Sequence, residues 1–186
     1  MFSLLVLPLL LQATLTYGEW ISVPNGCSLG EWGPIQRCPP GTVAKAFSEK
    51  EEHVRGPDRD ESGLNGIMLY CARRNDTSVL GIITSAVGHR GEWAHPTWCK
   101  NGFITGFVAK VDALKRGEDN AAVISIKVKC SDQLIIRGRD GPRGVYGSFS
   151  ENCRSGVCGI KTRMHARQSS KDYTGLNDVT FECCSA

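Results

Sequence analysis

Helical periodicity is what this 186-residue sequence lacks most: no convincing amphipathic helix longer than two turns can be drawn through it, which argues against bundle folds. Signatures of catalysis are missing too. There is no GxSxG elbow, no candidate serine has a recognisable base partner, and the glycines form neither GxGxxG nor a phosphate loop. His53, His89, His95 and His165 lack the HExxH spacing. The cysteines lack the close paired spacing of a zinc finger, and Cys183 and Cys184 are adjacent. No metal and no cofactor is therefore expected. The net charge of +3 is too small to argue for a nucleic-acid partner. Past the N-terminus no apolar run is long enough for a membrane span.

A threefold repeat takes the place of those signatures. GEWGPIQRC ends at Cys38, GEWAHPTWC at Cys99 and the looser GSFSENC at Cys153. Gly41, Gly102 and Gly156 each follow three residues after these cysteines. Each copy closes on a segment ending in cysteine: LNGIMLYC at Cys71, VISIKVKC at Cys130, LNDVTFEC at Cys183. A repeat fixes architecture before any local assignment. It divides one domain, 19–186, into units of about 20–71, 79–130 and 133–183.

The closing segments read as strands. Ile124, Ile126 and Val128 alternate with Ser125, Lys127 and Lys129, which buries one face. A second strand is expected after each opening cysteine (TVAKAF, FITGFVAKV, VCGIKTRM), the middle one covered on both faces. A third precedes each tryptophan loop (WISV, VLGIIT, QLIIRG). Turn-rich stretches such as RGPDRDESG and KRGEDN separate them. The sum is an all-β sandwich, barrel or prism, and three units favour three sheets about a pseudo-threefold axis.

Residues 1–18 are apolar and carry no charged side chain, with small residues before Glu19. They read as a secretory signal peptide; an anchor would need to be longer and free of Pro8. Nine cysteines agree with a secreted, extracellular, disulfide-stapled chain. The repeat pairs Cys38 with Cys71, Cys99 with Cys130 and Cys153 with Cys183, leaving Cys158 for Cys184. Cys153–Cys184 with Cys158–Cys183 is the open alternative. Cys27 is left unpaired, as a free thiol or an intermolecular bridge. Asn75-Asp76-Thr77 is a glycosylation acceptor.

The Gly-Glu-Trp…Cys segments, the Leu-Asn…Cys closings and the terminal Cys-Cys together resemble the vitelline membrane outer layer protein 1 family, over roughly Trp20 to Cys184. The resemblance implies a β-prism of three Greek-key sheets held by disulfides. It implies a structural role in an extracellular coat, with matrix, egg-coat or mucus glycoproteins as partners. For the avian member it implies an activity resembling transfer of N-acetylglucosamine oligosaccharides, with no catalytic residue to carry over. Three departures stand out: Ser148-Phe149 where the other copies have Glu31-Trp32 and Glu92-Trp93, Val123-Ile124 in place of Leu-Asn, and the additional Cys27.

Glu31-Trp32 and Glu92-Trp93, with Trp98, are the candidate carbohydrate contacts. An indole face covers a pyranose, and a neighbouring carboxylate accepts its hydroxyls. The bland reading, the commoner fate of repeated aromatics, is that Trp32 and Trp93 plug the ends of the core, with Trp98 the more exposed. Glycoside chemistry needs two carboxyls about 5–10 Å apart. Glu31, Glu92 and the turn acids Asp60, Glu61, Glu118, Asp119 and Asp172 are available, but their spacing fixes no pair. Asn65 and Asn177 read as backbone-setting residues. Arg137, Arg139 and Arg143 make a basic turn able to meet anionic glycans or lipids, or simply to face water. A structural or interaction protein ranks first, an oligosaccharide-binding module second and a glycosyl-transferring enzyme third.

Overall fold

The structure, a computed structural model, describes residues 18–52, 63–112, 123–165 and 174–185. The leader expected over 1–18 lies outside the described residues except for Gly18, as do His53 and all five turn acids. Among the described residues, fourteen strands form three antiparallel sheets. The first is built on the long pair β4 (Val43–Glu51) and β5 (Leu64–Ala72), with β6 (Gly81–Thr84) beside β5 and β7 (Glu92–Trp93) and β8 (Thr97–Trp98) beside β4. The second pairs β9 (Ile104–Val111) with β10 (Val123–Cys130), flanked by β11 (Ile135–Arg137) and β12 (Val145–Tyr146). The third pairs β13 (Val157–Met164) with β14 (Leu176–Cys183), and takes its flanks from the other end of the chain: β1 (Trp20–Ile21), β2 (Glu31–Trp32) and β3 (Gln36–Arg37).

Each sheet therefore joins the long strands of one sequence unit to the short strands of the next, and the first unit's short strands complete the last sheet. The product is a prism with one sheet per side. Parity sets which face looks inward. Phe47, Phe107 and Ile160 occupy one position of the three leading strands, and Leu69, Val128 and Phe181 one position of the partners; all six are buried. Phe107 and Phe181 meet with ring centroids 4.6 Å apart. Burying side chains of this size contributes roughly 1.5–3 kcal/mol each. β9 is buried along both faces up to Val111, which alone on that strand is half-exposed.

The register shifts at matching places, once beside Lys45, Thr105 and Cys158 and once beside Asn65, Ile124 and Asn177. Such bulges bend a strand and re-aim its neighbours. Asn65 and Asn177 are fully buried in the second set; the Asn177 amide donates to Thr174 Oγ1 at 3.0 Å and to the Gly175 carbonyl at 3.2 Å.

Four disulfides are present: Cys38–Cys71, Cys99–Cys130, Cys153–Cys183 and Cys158–Cys184. The first three each cross a seam between sheets. The Cys38 N–H bonds the third sheet at Cys158, the Cys99 N–H the first at Lys45, and the Cys153 N–H the second at Thr105. Their partners Cys71, Cys130 and Cys183 stand on the first, second and third sheets. Cys27 is a half-buried free thiol. No helix among the described residues is long and apolar enough to cross a membrane.

Candidate functional site

One aromatic ring stands at the same place on each sheet. Gly30, Gly91 and Gly144 all adopt positive φ, where a side chain would strike the carbonyls of Met164, Glu51 and Val111. Two residues on come Trp32, Trp93 and Tyr146, paired across the strand with Arg163, Lys50 and Lys110. The sequence alignment put Ser148-Phe149 at this place in the third copy; the structure puts Val145-Tyr146 there. Gly144 stands nine positions before Cys153 where Gly30 and Gly91 stand eight before theirs, and the GSF of residues 147–149 imitates the GEW motif three residues too late.

These rings do not plug the core. Trp32 and Trp93 are half-buried on the outward faces. Lys161 Nζ lies 4.6 Å from the Trp32 ring centre and 5.8 Å from that of Trp20, with the Arg163 guanidinium carbon 5.4 Å from Trp32. Lys127 Nζ sits 3.6 Å over Tyr146. Trp93 instead lies over Gly66, where a Cβ would come within 3.1 Å of the ring. Trp98 is half-buried rather than exposed, tilted against Tyr70 at 6.1 Å.

Beside Trp93, between the first sheet and the segment after β11, opens a cavity of about 440 Å³. Glu49, Glu51, Glu92, Trp93, His95 and Arg139 are among the residues lining it. Glu49 shares the inward parity of Phe47, two residues before it, and is 1% exposed. Its Oε1 accepts the Ile126 N–H at 2.6 Å and the Ser125 hydroxyl at 3.1 Å; its Oε2 accepts the Arg139 N–H at 3.1 Å. Burial pushes the Glu49 carboxyl up to about 8, with the Glu51 charge adding to the rise, against the pull of those donors. Glu51 faces the Arg139 guanidinium at 3.7 Å through Oε2, while its Oε1 is buried with no partner.

Sequence reasoning missed Glu49 and Glu51. The available signal was parity: an alternation that buries Phe47 must also turn residues 49 and 51 inward. Glu31 and Glu92 occupy equivalent positions on different sheets, so they do not form one site on one face. Arg137 is exposed on β11, and Arg143 faces Asp112 at 3.7 Å. Among the described residues no group of three His, Cys, Asp or Glu side chains could hold a metal. Trp93 at the rim, an unsatisfied Glu51 oxygen and the Arg139 guanidinium make a cavity suited to a hydroxyl-rich ligand.

Comparison with known proteins places the sequence among relatives. The family described as vitelline membrane outer layer protein I matches residues 19–186. The mouse (Mus musculus) vitelline membrane outer layer protein 1 homolog is 34% identical over 171 residues, covering 91% of this chain and 85% of that one. The human (Homo sapiens) homolog is 35% identical over 169 residues, covering 90% and 84%. Among solved structures, the V. cholerae biofilm matrix protein Bap1 is similar with a TM-score of 0.47 and 10% identity, over 90% of this chain and 23% of that one. A mannose-specific jacalin-related lectin from Morus nigra, in complex with mannose, gives 0.43 and 13%, over 84% and 96%.

Proposed function

The chain belongs to the vitelline membrane outer layer protein I family, and from that premise we propose that it is a secreted structural and interaction protein of an extracellular coat or mucous layer, engaging the glycans of its partner glycoproteins. The observation that carries the reading is the cavity lined by Trp93, Glu51, Glu92 and Arg139, which brings an indole, carboxylates and a guanidinium together. The disulfide-crossed seams suit long service outside the cell. Asn75 is exposed in the loop after β5, which Lys45 anchors by donating to the carbonyls of Arg74 and Asp76; a glycan there meets no packed surface.

The test has two parts. Expressed in secreting cells, the chain is expected in the medium, and in native tissue in the insoluble matrix; a protein wholly extractable in buffer sinks the coat role. Chito-oligosaccharides titrated against tryptophan fluorescence are expected to give a saturable response that Trp93→Ala abolishes. No response to any sugar class at millimolar concentration removes the glycan contact. Incubation with N-acetylglucosamine tetramer tests the enzymatic alternative: new oligomer lengths that vanish in Glu51→Gln support it, and an unchanged tetramer rejects it.

A further inference from the structure

The outward face of the second sheet is charged in a way its two counterparts are not. Lys127 and Lys129 point outward from β10, since Ile126, Val128 and Cys130 between them are buried. Across the strand, Lys127 stands directly opposite Arg137, and Lys129 opposite Ile135. Like charges in a directly opposed pair work against a sheet. At the matching positions the first sheet has Met68 opposite Thr84, then Tyr70. The third has Thr180 and Glu182. The prism therefore forms without cations at these places.

The third sheet also carries outward cations, but two of them face acids, while Lys161 lies against Trp32 and Trp20. Arg163 stands opposite Asp178, and Arg37 binds Glu182 through two bonds of 2.6 and 3.0 Å. On the second sheet Lys110 is matched by Asp140 at 2.7 Å and the Asp140 charge reaches Lys127 as well, whereas Lys129 and Arg137 have no ion pair with a described carboxylate. The Lys127 ammonium is already held in place over the Tyr146 ring. Neighbouring strands lie about 4.8 Å apart and alternate residues about 6.8 Å. The three cations thus rise from neighbouring positions of one sheet rather than from a tail.

We propose that this face, centred on Lys127 and Lys129 and bordered by Arg137, which also lines the cavity beside Trp93, is a second binding surface that takes acidic polysaccharide chains, sulfated or sialylated. A set of spaced cations fits an extended polyanion better than a single phosphate. Arginine supplies two parallel donors to a sulfate or carboxylate. Four disulfides place the chain where acidic glycans are the abundant polyanions. A membrane is the poorer occupant: exposed Ile135, opposite Lys129, is on the face itself with Leu134 next to it, but exposed Val145 lies on the opposite edge strand, so the apolar side chains form no continuous stripe along the cations.

The experiment uses the mature chain with heparin and polysialic acid as probes, and neutral dextran, phosphatidylserine vesicles and DNA as comparators, at about 0.15 M salt. The expected result is binding to the acidic glycans but not to dextran, weakening steeply as salt rises. Lys127→Gln with Lys129→Gln is expected to weaken it about tenfold or more, and Lys127→Arg with Lys129→Arg to preserve it. The tryptophan response to neutral sugars should not change in either variant, since neither lysine lines the cavity; loss of that response alone would touch the cavity reading and leave this one standing. Should the glutamine pair not fold, Lys129→Glu carries the test, because the Lys129 side chain has no bonded partner among the described residues. Wild-type protein that ignores both acidic glycans overturns the proposal, as does undiminished binding by the glutamine pair. Preference for vesicles or DNA over glycans overturns it too and reassigns the face.

Discussion

The seam between the first and second sheets and the seam between the third and first use the same strand position for different chemistry. On β4 that position is Glu49, whose carboxyl reaches the Ile126 and Arg139 N–H groups of the second sheet. On β13 it is Thr162, whose hydroxyl donates to the Ala86 carbonyl of the first at 2.8 Å. On β9 it is Ala109, and the reach is reversed: the Asn25 amide donates to its carbonyl at 3.0 Å. The backbone fixes where a seam must be stitched and leaves the stitch to local choice. Only the Glu49 stitch can change its charge, so one of three otherwise similar seams is sensitive to pH.

The bridges should show what the seams share. Replacing Cys99 and Cys130 by serine, or Cys38 and Cys71, is expected to cost about 3–4 kcal/mol in either case, because the closed loops are of similar length. Urea unfolding of both pairs checks this. A much larger loss at one bridge would mean that its seam, rather than chain entropy, sets the stability.

Titration should show what they do not share. The folded Glu49 carboxyl holds its proton up to about 8, while the unfolded one releases it near 4.5. Between those values the folded state binds more protons, so stability falls as pH rises and levels off above about 8. The loss between pH 5 and 8 is expected to be on the order of 3 kcal/mol. Glu49→Gln should remove this slope, yet be about 1–2 kcal/mol less stable than wild type at pH 5. Its amide nitrogen must face one of the two N–H donors, whereas a carboxylic acid accepts from both. Denaturation midpoints at a series of pH values decide it; an unchanged slope would place the pH dependence elsewhere.

Space is the third contrast. A Cβ at residue 138 would collide with the Glu49 carboxyl, so Gly138→Ala is expected to cost about 2 kcal/mol, and clearly less when Glu49→Ala is already present. A double-mutant cycle reads the coupling, and strict additivity would mean that Glu49 can move aside. The smallest effect belongs to Thr162→Val, about 1 kcal/mol with no pH dependence, from thermal unfolding at two pH values.

Much of this fold was legible in the sequence. Alternation before Cys71, Cys130 and Cys183, together with the repeat, gave three antiparallel sheets. How the units share strands was not legible, because a repeat read along the chain cannot say whether a short strand joins the unit it begins or the one before. The ring at Tyr146 was obscured by the GSF stretch just after it, which imitates the GEW motif. Trp93 was named as a contact and does line the cavity, but its neighbours Glu49, Glu51 and Arg139 come from segments far apart in sequence. Only the inward parity of residues 49 and 51 hinted that an acid would be buried.

The pairing of β1 with β14 carries a consequence for the order in which the chain can assemble. The strands emerging first from the ribosome have their partners among those emerging last, so β1, β2 and β3 must wait while the first and second sheets form. Cys38 lies in the waiting segment, but its partner Cys71 emerges early. An oxidised Cys38–Cys71 bridge would tether the loose end beside the first sheet until β13 and β14 arrive. Pairing so distant in sequence is slow, and that bridge shortens the search.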